Sequence, residues 1–358
     1  MLSPREAVRT LPSYHPPLAG RDGLRLDFNE NTVGCSPRVL ERLRQLGPEQ
    51  LARYPERGPV EAVVAGILGV AVEELLLTNG VDEAIHLLCE TYLEPGDEAL
   101  IVVPTYSMYR IYMMAAGAKV ITVPAAENFV FPVDDLCSRI TPRTRLIAMA
   151  NPNNPTGTVA ASADLAKIAR SAPGAAVLVD EAYFEFYGQS MLPARNEFPN
   201  LFVARTFSKA YGLAGLRAGA LVGDAEQMRS VRRVSSPYNV NAVALACLPE
   251  ALGDQVCIRE YVTEVRESRA RLERALEAGG IQFWSSQANF VLARVGAAGP
   301  FVGHMKRRGI LIRDRSGDHG CEGCVRITLG PRAHADRLLT ALQETCDELG
   351  IAQGASRR

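Results

Sequence analysis

The chain has 358 residues, which at roughly 150 residues per domain suggests two domains, and its composition of 47% hydrophobic and 22% charged residues is that of a folded globular protein. Its formal net charge of -1 gives no general attraction to a phosphate backbone or an anionic membrane, which argues against a nucleic-acid partner. No apolar run approaches the roughly 20 residues that span a bilayer, and the N-terminal segment lacks the apolar stretch of a secretory signal. We therefore expect a cytoplasmic protein without membrane contact.

The cysteine pattern is that of reduced core residues. The 8 cysteines are dispersed, and Cys89, Cys137 and Cys247 stand in apolar segments, so no disulfide framework is expected. Cys321 and Cys324 have C-x-x-C spacing, but no second pair and no histidine cluster accompany them. A metal or redox role for this pair is the less favoured interpretation. No metal is predicted, because the 5 histidines do not cluster with carboxylates at ligand spacing.

The middle of the chain alternates predicted strands with helices. Five apolar runs predict strands, ALIVV, AKVITV, RLIAMA, AAVLVD and LFVART (residues 99–103, 118–123, 145–150, 175–180 and 201–206). Helical patterns cover residues 106–116 and 162–171, the second with Leu165, Ile168 and Ala169 on one face. Because the strand runs are continuously apolar rather than alternating, both faces of the strands should be covered by helices. An α/β fold with a largely parallel sheet follows.

The later chain predicts a second, smaller unit. A helical pattern rich in Glu and Arg runs from about Ala246 to the glycines at 279 and 280, and shorter strands NFVLAR and CVRITLG (residues 289–294 and 324–330) follow before a final helix. We predict an N-terminal arm of residues 1–32 that packs with the small domain, a large domain of residues 33–245, and a small C-terminal domain of residues 246–358.

Three of the predicted strands run directly into polar groups, the segments NPNNPTG, DEAY and FSKA. Since ligands bind beyond the carboxyl ends of parallel strands, Asn154, Asp180, Tyr183 and Lys209 should meet in one crevice. This set suits a pyridine aldehyde phosphate. Lys209 would form an imine, and Asp180 would favour a protonated ring nitrogen, which makes the ring an electron sink. Tyr183 and Asn154 can donate to the phenolate oxygen of the ring.

A phosphate needs a separate anion site, which the segment TNGVDEAIHLL (residues 78–88) can supply. It predicts a turn that leads into a helix, and the backbone N–H groups of Gly80 and Val81 would lie at the helix N-terminus. Hydroxyls and a guanidinium near the lysine can complete the site. The predicted cofactor contacts around the phosphate are Gly80, Val81, Asp82, Thr206, Ser208 and Arg217.

The strings NPNNPTG, DEAY and TFSKAYGLAGLRAG, in this order, resemble the fold-type-I, class I/II aminotransferases that depend on pyridoxal 5′-phosphate, and more narrowly the histidinol-phosphate aminotransferases. The resemblance covers about residues 10–345. It implies a large domain with a mostly parallel seven-stranded sheet between helices and a smaller α+β C-terminal domain. Further matching strings are NEN, RYPE, PTYSMY, PYNVN, LIRD and VRITLG (residues 29–31, 53–56, 104–109, 237–241, 311–314 and 325–330).

The resemblance implies roles for single residues. Lys209 matches the Schiff-base lysine, with Asp180 and Tyr183 as its catalytic partners, and Tyr106 matches the aromatic ring that stacks on the cofactor. Tyr54 matches a tyrosine that reaches the cofactor phosphate of the neighbouring subunit, which implies a homodimer. The implied substrate contacts are Tyr14, Asn29, Arg313 and Arg326.

Two observations weaken parts of this assignment. Arg326 could instead form a structural salt bridge in an edge strand. Relatives usually carry proline where Thr32 follows the NEN segment, which loosens the assignment of the substrate-side loop.

The expected reaction is a ping-pong amino transfer in which the freed amine of Lys209 carries the proton, its pKa lowered by burial near Arg217. Histidinol phosphate and 2-oxoglutarate, as in histidine biosynthesis, are the expected pair of amino donor and 2-oxo acid. Transfer from aromatic amino acids and decarboxylation of threonine phosphate on the same scaffold remain open. A non-catalytic binding protein with this fold is a further alternative.

Overall fold

The computed structural model describes residues 2–9, 11, 20 and 22–351 of the chain. Tyr14, a predicted substrate contact, lies outside the described residues. The strands of the described part are, in chain order, β1 (Leu24–Arg25), β2 (Leu75–Thr78), β3 (Glu98–Val103), β4 (Lys119–Pro124), β5 (Thr144–Ala150), β6 (Ala176–Asp180), β7 (Leu201–Thr206), β8 (Gly219–Val222), β9 (Gln282–Trp284), β10 (Phe290–Arg294), β11 (Ile310–Leu311), β12 (Arg313–Asp314) and β13 (Cys324–Thr328).

The helices surround these strands and connect them. In chain order they are α1 (Glu6–Arg9), α2 (Pro37–Arg44), α3 (Pro48–Ala52), α4 (Gly58–Leu68), α5 (Val81–Tyr92), α6 (Ser107–Ala115), α7 (Val133–Ser138), α8 (Ser162–Ser171), α9 (Phe184–Tyr187), α10 (Ala225–Val234), α11 (Ala242–Gly253), α12 (Gln255–Ala278), α13 (Ala298–Arg307) and α14 (Arg332–Leu349). Among the residues described, no helix is both long and apolar enough to cross a membrane.

The large sheet has seven strands in the order β2-β8-β7-β6-β5-β3-β4. Its neighbours are parallel from β7 to β4, whereas β8 runs antiparallel to both β7 and β2. On β5, Ile147 and Met149 belong to the apolar cluster on one face, and Leu146 and Ala148 to the cluster on the other. Both faces are therefore covered, which confirms the mostly parallel, helix-flanked sheet predicted from the continuous apolar runs.

The C-terminal part contains a four-stranded antiparallel sheet in the order β12-β13-β10-β9. Helices α12, α13 and α14 pack beside it, as expected for a small α+β unit. The N-terminal strand β1 pairs in parallel with β11, through Leu24 opposite Ile310 and Arg25 opposite Leu311. The boundaries of the arm and the two domains at residues 32 and 245 remain a prediction.

The single helical stretch predicted from about Ala246 is wrong, because two helices, α11 and α12, meet at Asp254. The Asp254 carboxylate accepts a hydrogen bond from the backbone N–H of Cys257 at 3.3 Å and so caps α12. Its other oxygen accepts from the hydroxyl of Ser36, the N-cap of α2. The break therefore ties the second helix to the start of the large unit.

Candidate functional site

Lys209 lies in the loop after β7 and is half-buried. The Nζ atom donates a hydrogen bond to the backbone carbonyl of Phe28 at 3.1 Å. Burial lowers the pKa of Lys209 to about 8, and the nearby cation of Arg326 lowers it further than that of Arg217 does. The lowered pKa agrees with the sequence-based expectation, but the main cationic neighbour is Arg326 rather than Arg217.

Asp180 is the last residue of β6 and is buried. Burial raises its pKa to about 6, although two hydrogen bonds lower it, one from the Tyr109 hydroxyl at 2.6 Å and one from the backbone N–H of Ala182 at 3.0 Å. Tyr109 was not among the predicted site residues. It lies on α6 three residues after Tyr106, and its phenol is buried.

Tyr183 and Asn29 form a buried pair next to Phe28, whose carbonyl binds the lysine amine. The Asn29 amide nitrogen donates to the Tyr183 hydroxyl at 2.9 Å, and both residues are buried. Asn29 has a φ of 55°, in the left-handed region that asparagine tolerates better than most residues. Thr328 on β13 holds the same backbone, because its Oγ1 atom accepts from the Asn29 N–H at 3.0 Å. The predicted phenol therefore has a fixed orientation.

Arg326 is a buried cation held by neutral acceptors. Its Nη1 atom donates to Asn154 Oδ1 at 2.6 Å and its Nη2 atom to the backbone carbonyl of Asp27 at 2.7 Å. Its Nε atom has no hydrogen-bond partner among the described residues. Burial lowers the pKa of Arg326 to about 10. The expected edge-strand position is wrong, because β13 lies between β12 and β10.

Arg313 on β12 stands directly opposite Arg326 on β13 in the antiparallel pairing. Its guanidinium carbon lies 5.4 Å from the centre of the Phe28 ring, in the segment whose carbonyl binds the lysine amine. Like charges opposite each other on neighbouring strands destabilise a sheet unless an anion offsets them. Burial raises the pKa of the Asp318 carboxyl and both guanidiniums act in the opposite direction, so Asp318 supplies part of this negative charge.

Arg315, which the sequence-based prediction missed, adds a third cation to this site. Burial raises the pKa of Tyr183, and Arg315 acts against this rise. Burial lowers the pKa of Arg326, and Arg315 adds to this effect. Arg315 also forms an ion pair with Asp318. Its Nε atom is buried without a hydrogen-bond partner among the residues described.

The predicted phosphate site lies at the start of α5. Gly80 has a φ of 78°, and a Cβ atom on it would lie 2.7 Å from Arg217 Nη2. Arg217 Nη2 donates to Asp82 Oδ2 at 2.9 Å, and the Tyr106 hydroxyl donates to Asp82 Oδ1 at 2.8 Å. Asp82 thus links the guanidinium to the aromatic ring, while Val81 begins the helix and is buried.

The lysine loop and the α5 turn are brought together by Gly219, which sequence reasoning also missed. Gly219 on β8 is opposite Thr206 on one side and Thr78 on the other. A Cβ atom on Gly219 would lie 2.8 Å from the carbonyl carbon of Gly80, so only glycine allows this approach. Thr206 and Ser208 are buried, and the Ser208 N–H donates to Thr206 Oγ1 at 3.2 Å.

Two predicted features lie away from this network. The Tyr54 side chain is 77% exposed, and its ring stacks on that of Tyr238 with centroids 4.2 Å apart. Thr32, the departure from the usual proline, forms a hydrogen bond of 2.9 Å between its Oγ1 atom and Nδ1 of His334 on α14. Thr32 and His334 line a cleft of about 590 Å³ together with Ser208, whereas Lys209 does not line it.

Comparison with known proteins gives consistent matches over most of the chain. The model of the family described as aminotransferase class I and II matches residues 21–342. A histidinol-phosphate aminotransferase of Thermoanaerobacter sp. is 35% identical over 325 residues, covering 89% of this chain and 92% of that protein. One of Paracoccus denitrificans is 37% identical over 322 residues, covering 88% of this chain and 87% of that protein.

A solved structure shows the same fold. The histidinol-phosphate aminotransferase of Sinorhizobium meliloti, in complex with pyridoxal 5′-phosphate, superposes with a TM-score of 0.88 at 26% identity. The superposition covers 96% of this chain and 97% of that one.

Proposed function

The chain belongs to the aminotransferase class I and II family, and we propose that it transfers an amino group from L-histidinol phosphate to 2-oxoglutarate, a step of histidine biosynthesis. The observation that carries the substrate class is the pair of opposed arginines, Arg313 and Arg326, beside the half-buried lysine. Arg313, Arg315 and Arg326 gather around the carboxylate of Asp318, and this excess of cations suits a doubly charged phosphate on a small amino donor. The relatives at 35% and 37% identity, which are named for this substrate, support the proposal.

The residues present fit pyridoxal 5′-phosphate. At Gly80 and Gly219 the backbone approaches its neighbours so closely that a Cβ atom would clash, and the N-terminus of α5 follows directly at Val81. Lys209 would hold the cofactor covalently, and Asp180 would pair with the ring nitrogen. The remaining contacts would come from Asn154 and Tyr183 at the ring hydroxyl, Tyr106 at the ring face, and Gly80, Val81, Asp82, Thr206, Ser208 and Arg217 around the phosphate. When bound, the cofactor supplies an aldehyde carbon and a ring that accepts an electron pair.

Lys209 is the group we assign to proton transfer. A general base must be neutral, and an amine with a pKa of about 8 is neutral in a substantial fraction near pH 8, unlike a lysine of ordinary pKa. It takes a proton from the substrate carbon that bears the amino group and later returns one. The Phe28 carbonyl accepts a hydrogen bond from the Lys209 amine, and the nearby cation of Arg326 helps to keep the pKa of this amine low.

Asp180 and Tyr109 act together. A carboxylate at the end of β6 stabilises positive charge on a ring nitrogen placed beside it. The Tyr109 hydroxyl holds one carboxylate oxygen and the N–H of Ala182 holds the other, which fixes the orientation of the acid. With a pKa of about 6, Asp180 is predominantly ionised at neutral pH, as this role requires.

We also propose a homodimer in the cytoplasm. Tyr54 is exposed and lies apart from the site of its own chain, and the exposed apolar residues Leu51, Val63 and Ile67 are close to it in sequence. A second copy that covers this surface would place Tyr54 against the cofactor phosphate of its neighbour. Sedimentation of wild type and a Tyr54→Ala variant shows whether the variant still forms a dimer, and a titration measures its affinity for the cofactor. Loss of cofactor affinity in an intact dimer supports the assignment of Tyr54, whereas unchanged affinity contradicts it.

The experiment that tests the substrate is a steady-state comparison of L-histidinol phosphate, L-phenylalanine and threonine phosphate as substrates. The proposal predicts the highest kcat/KM for histidinol phosphate, with 2-oxoglutarate as acceptor. A preference for phenylalanine would assign the chain to aromatic amino acids, and release of carbon dioxide from threonine phosphate would assign it to decarboxylation. Failure with every donor of a broad panel would favour a non-catalytic binding protein.

A further inference from the structure

Cys321 and Cys324 stand at the two ends of one tight turn. The backbone N–H of Cys324 donates to the carbonyl of Cys321 at 2.9 Å, which closes a four-residue β-turn. Gly323 has a φ of 72°, and a Cβ atom on it would lie 2.5 Å from the carbonyl oxygen of Gly296, so the turn has a fixed shape. The Cα atoms at the ends of such a turn lie within about 7 Å, and most disulfides join Cα atoms about 4.4–6.8 Å apart.

The two thiols share one small apolar compartment. Both cysteines are buried and unbridged, and they pack with Trp284 and Leu292, against which Phe129 is placed. This compartment is separate from the main apolar clusters of the chain. Between the two buried cysteines, Glu322 is exposed and Gly323 is half-buried, so the turn that carries both thiols reaches the surface.

A cation lies beside the pair. Arg294 is opposite Cys324 in the pairing of β10 with β13, and its Nη2 atom donates to the carbonyl of Gly320 at 3.1 Å. A hydrogen bond from the Cys321 thiol, and then the Arg294 guanidinium, lower the pKa of Cys324, while the same contact raises the pKa of Cys321. Burial instead raises the pKa of Cys89 to about 12. Of the two thiols, Cys324 is therefore the one that ionises more readily, and Cys321 lies next to it.

We propose that Cys321 and Cys324 form an oxidation site that a peroxide converts to an intramolecular disulfide. The Cys324 thiolate attacks one peroxide oxygen, the O–O bond breaks, and a sulfenic acid forms with release of water. The Cys321 sulfur then attacks the Cys324 sulfur, the S–O bond breaks, and a second water leaves. The dithiol loses two electrons and two protons, and hydrogen peroxide takes up both.

Metal binding accounts less well for the same pair. A structural zinc site needs four ligands, and the residues that the structure describes contain no group of three or more His, Cys, Asp and Glu side chains able to hold an ion. The two sulfurs have Trp284, Leu292 and Arg294 around them instead. A cation from Arg294 stabilises a thiolate but repels a metal ion.

The test uses the full-length protein with its cofactor. After reduction and removal of the reductant, one sample is treated with hydrogen peroxide, and both are alkylated in denaturant and digested with trypsin. Cleavage after Arg315 and Arg326 gives the peptide SGDHGCEGCVR, which contains both cysteines and no other. We expect this peptide to lose two hydrogen atoms in mass and to take up no alkyl group after treatment, while the peptide of Cys89 stays alkylated.

Two variants separate this site from general thiol oxidation. Cys137→Ser, at a half-buried cysteine on α7, is the matched control and should leave the disulfide yield unchanged. Cys321→Ser should abolish the two-hydrogen loss and leave a single oxygen adduct on Cys324. The proposal is overturned if the wild-type peptide is fully alkylated after treatment, or if both cysteines gain oxygen without joining. Mass is measured on the peptide, so the result does not depend on the substrate assigned above.

Discussion

Replacing Tyr109 by phenylalanine isolates one buried hydrogen bond at the candidate site. The change removes the hydroxyl that donates to Asp180 at 2.6 Å and keeps the buried aromatic ring of this α6 residue. A hydrogen bond to an ionised group contributes about 1.5–3 kcal/mol, and one to a neutral group about 0.5–1.5 kcal/mol. The loss is therefore about 1–2 kcal/mol larger when Asp180 is ionised, which corresponds to a rise of about one unit in its pKa.

The sign of the pH effect follows from the raised pKa of Asp180. Since its pKa of about 6 in the folded chain exceeds that of an unfolded aspartate, the folded state binds the extra proton between about pH 4 and 6, and stability falls as pH rises through this window. In Tyr109→Phe the pKa of Asp180 in the folded chain is higher, so this pH range extends further upward. The variant should lose about 1.5–3 kcal/mol of unfolding free energy at pH 8 but only about 0.5–1.5 kcal/mol at pH 5.

Chemical denaturation of the cofactor-free protein at both pH values measures this difference. The acid limb of the kcat/KM profile of the loaded enzyme should also move up by about one pH unit, because the Asp180 carboxylate of the variant binds a proton more tightly. Tyr112→Phe is the matched control, since Tyr112 lies on the same helix and stacks on His86. Equal losses at pH 5 and pH 8, or an unmoved acid limb, would refute the role given to Tyr109.

Three further substitutions test other parts of the account. Arg326→Lys keeps the positive charge but loses the planar guanidinium that can form two parallel hydrogen bonds. The kcat/KM for histidinol phosphate should therefore fall about 10–100-fold with little change in cofactor affinity. An equal fall in kcat/KM for phenylalanine would contradict a phosphate-binding role. Gly80→Ala should weaken cofactor binding by about 1–3 kcal/mol in an equilibrium titration, whereas Gly66→Ala, which meets open space on α4, should not. Thr32→Val removes the hydrogen bond to His334 and should lower the unfolding free energy by about 0.5–1.5 kcal/mol in urea denaturation; unchanged stability would show that the bond contributes nothing.

The parts of the fold that the sequence predicts are those governed by local pattern. Strands β5 and β6 are covered on both faces, so their central residues are apolar, and the change to Asn151 after β5 and to Asp180 at the end of β6 marks the sheet edge. For the same reason strand order alone predicts that Asp180 and Lys209 follow neighbouring strands at the same edge of the sheet.

Contacts between distant segments could not be predicted in the same way. The bond from Tyr109 to Asp180 joins residues 71 positions apart, and the approach of Gly219 to Gly80 depends on the antiparallel register of β8. Neither leaves a periodic signal, because one polar atom on a helix or one glycine in a strand is compatible with many arrangements. The break at Asp254 had a local signal, since glycine and aspartate commonly end and begin helices, but the continuous Glu and Arg pattern outweighed it.

The most direct measurement is the site of covalent attachment of the cofactor. The loaded protein is treated with borohydride, which fixes a bond between pyridoxal phosphate and a lysine, and the peptides are mapped by mass. The chain has only four lysines, at 119, 167, 209 and 306, so each alternative is resolved. We predict the adduct on Lys209 and its loss, with all turnover, in Lys209→Ala. An adduct on another lysine, or full turnover in the variant, would contradict the account.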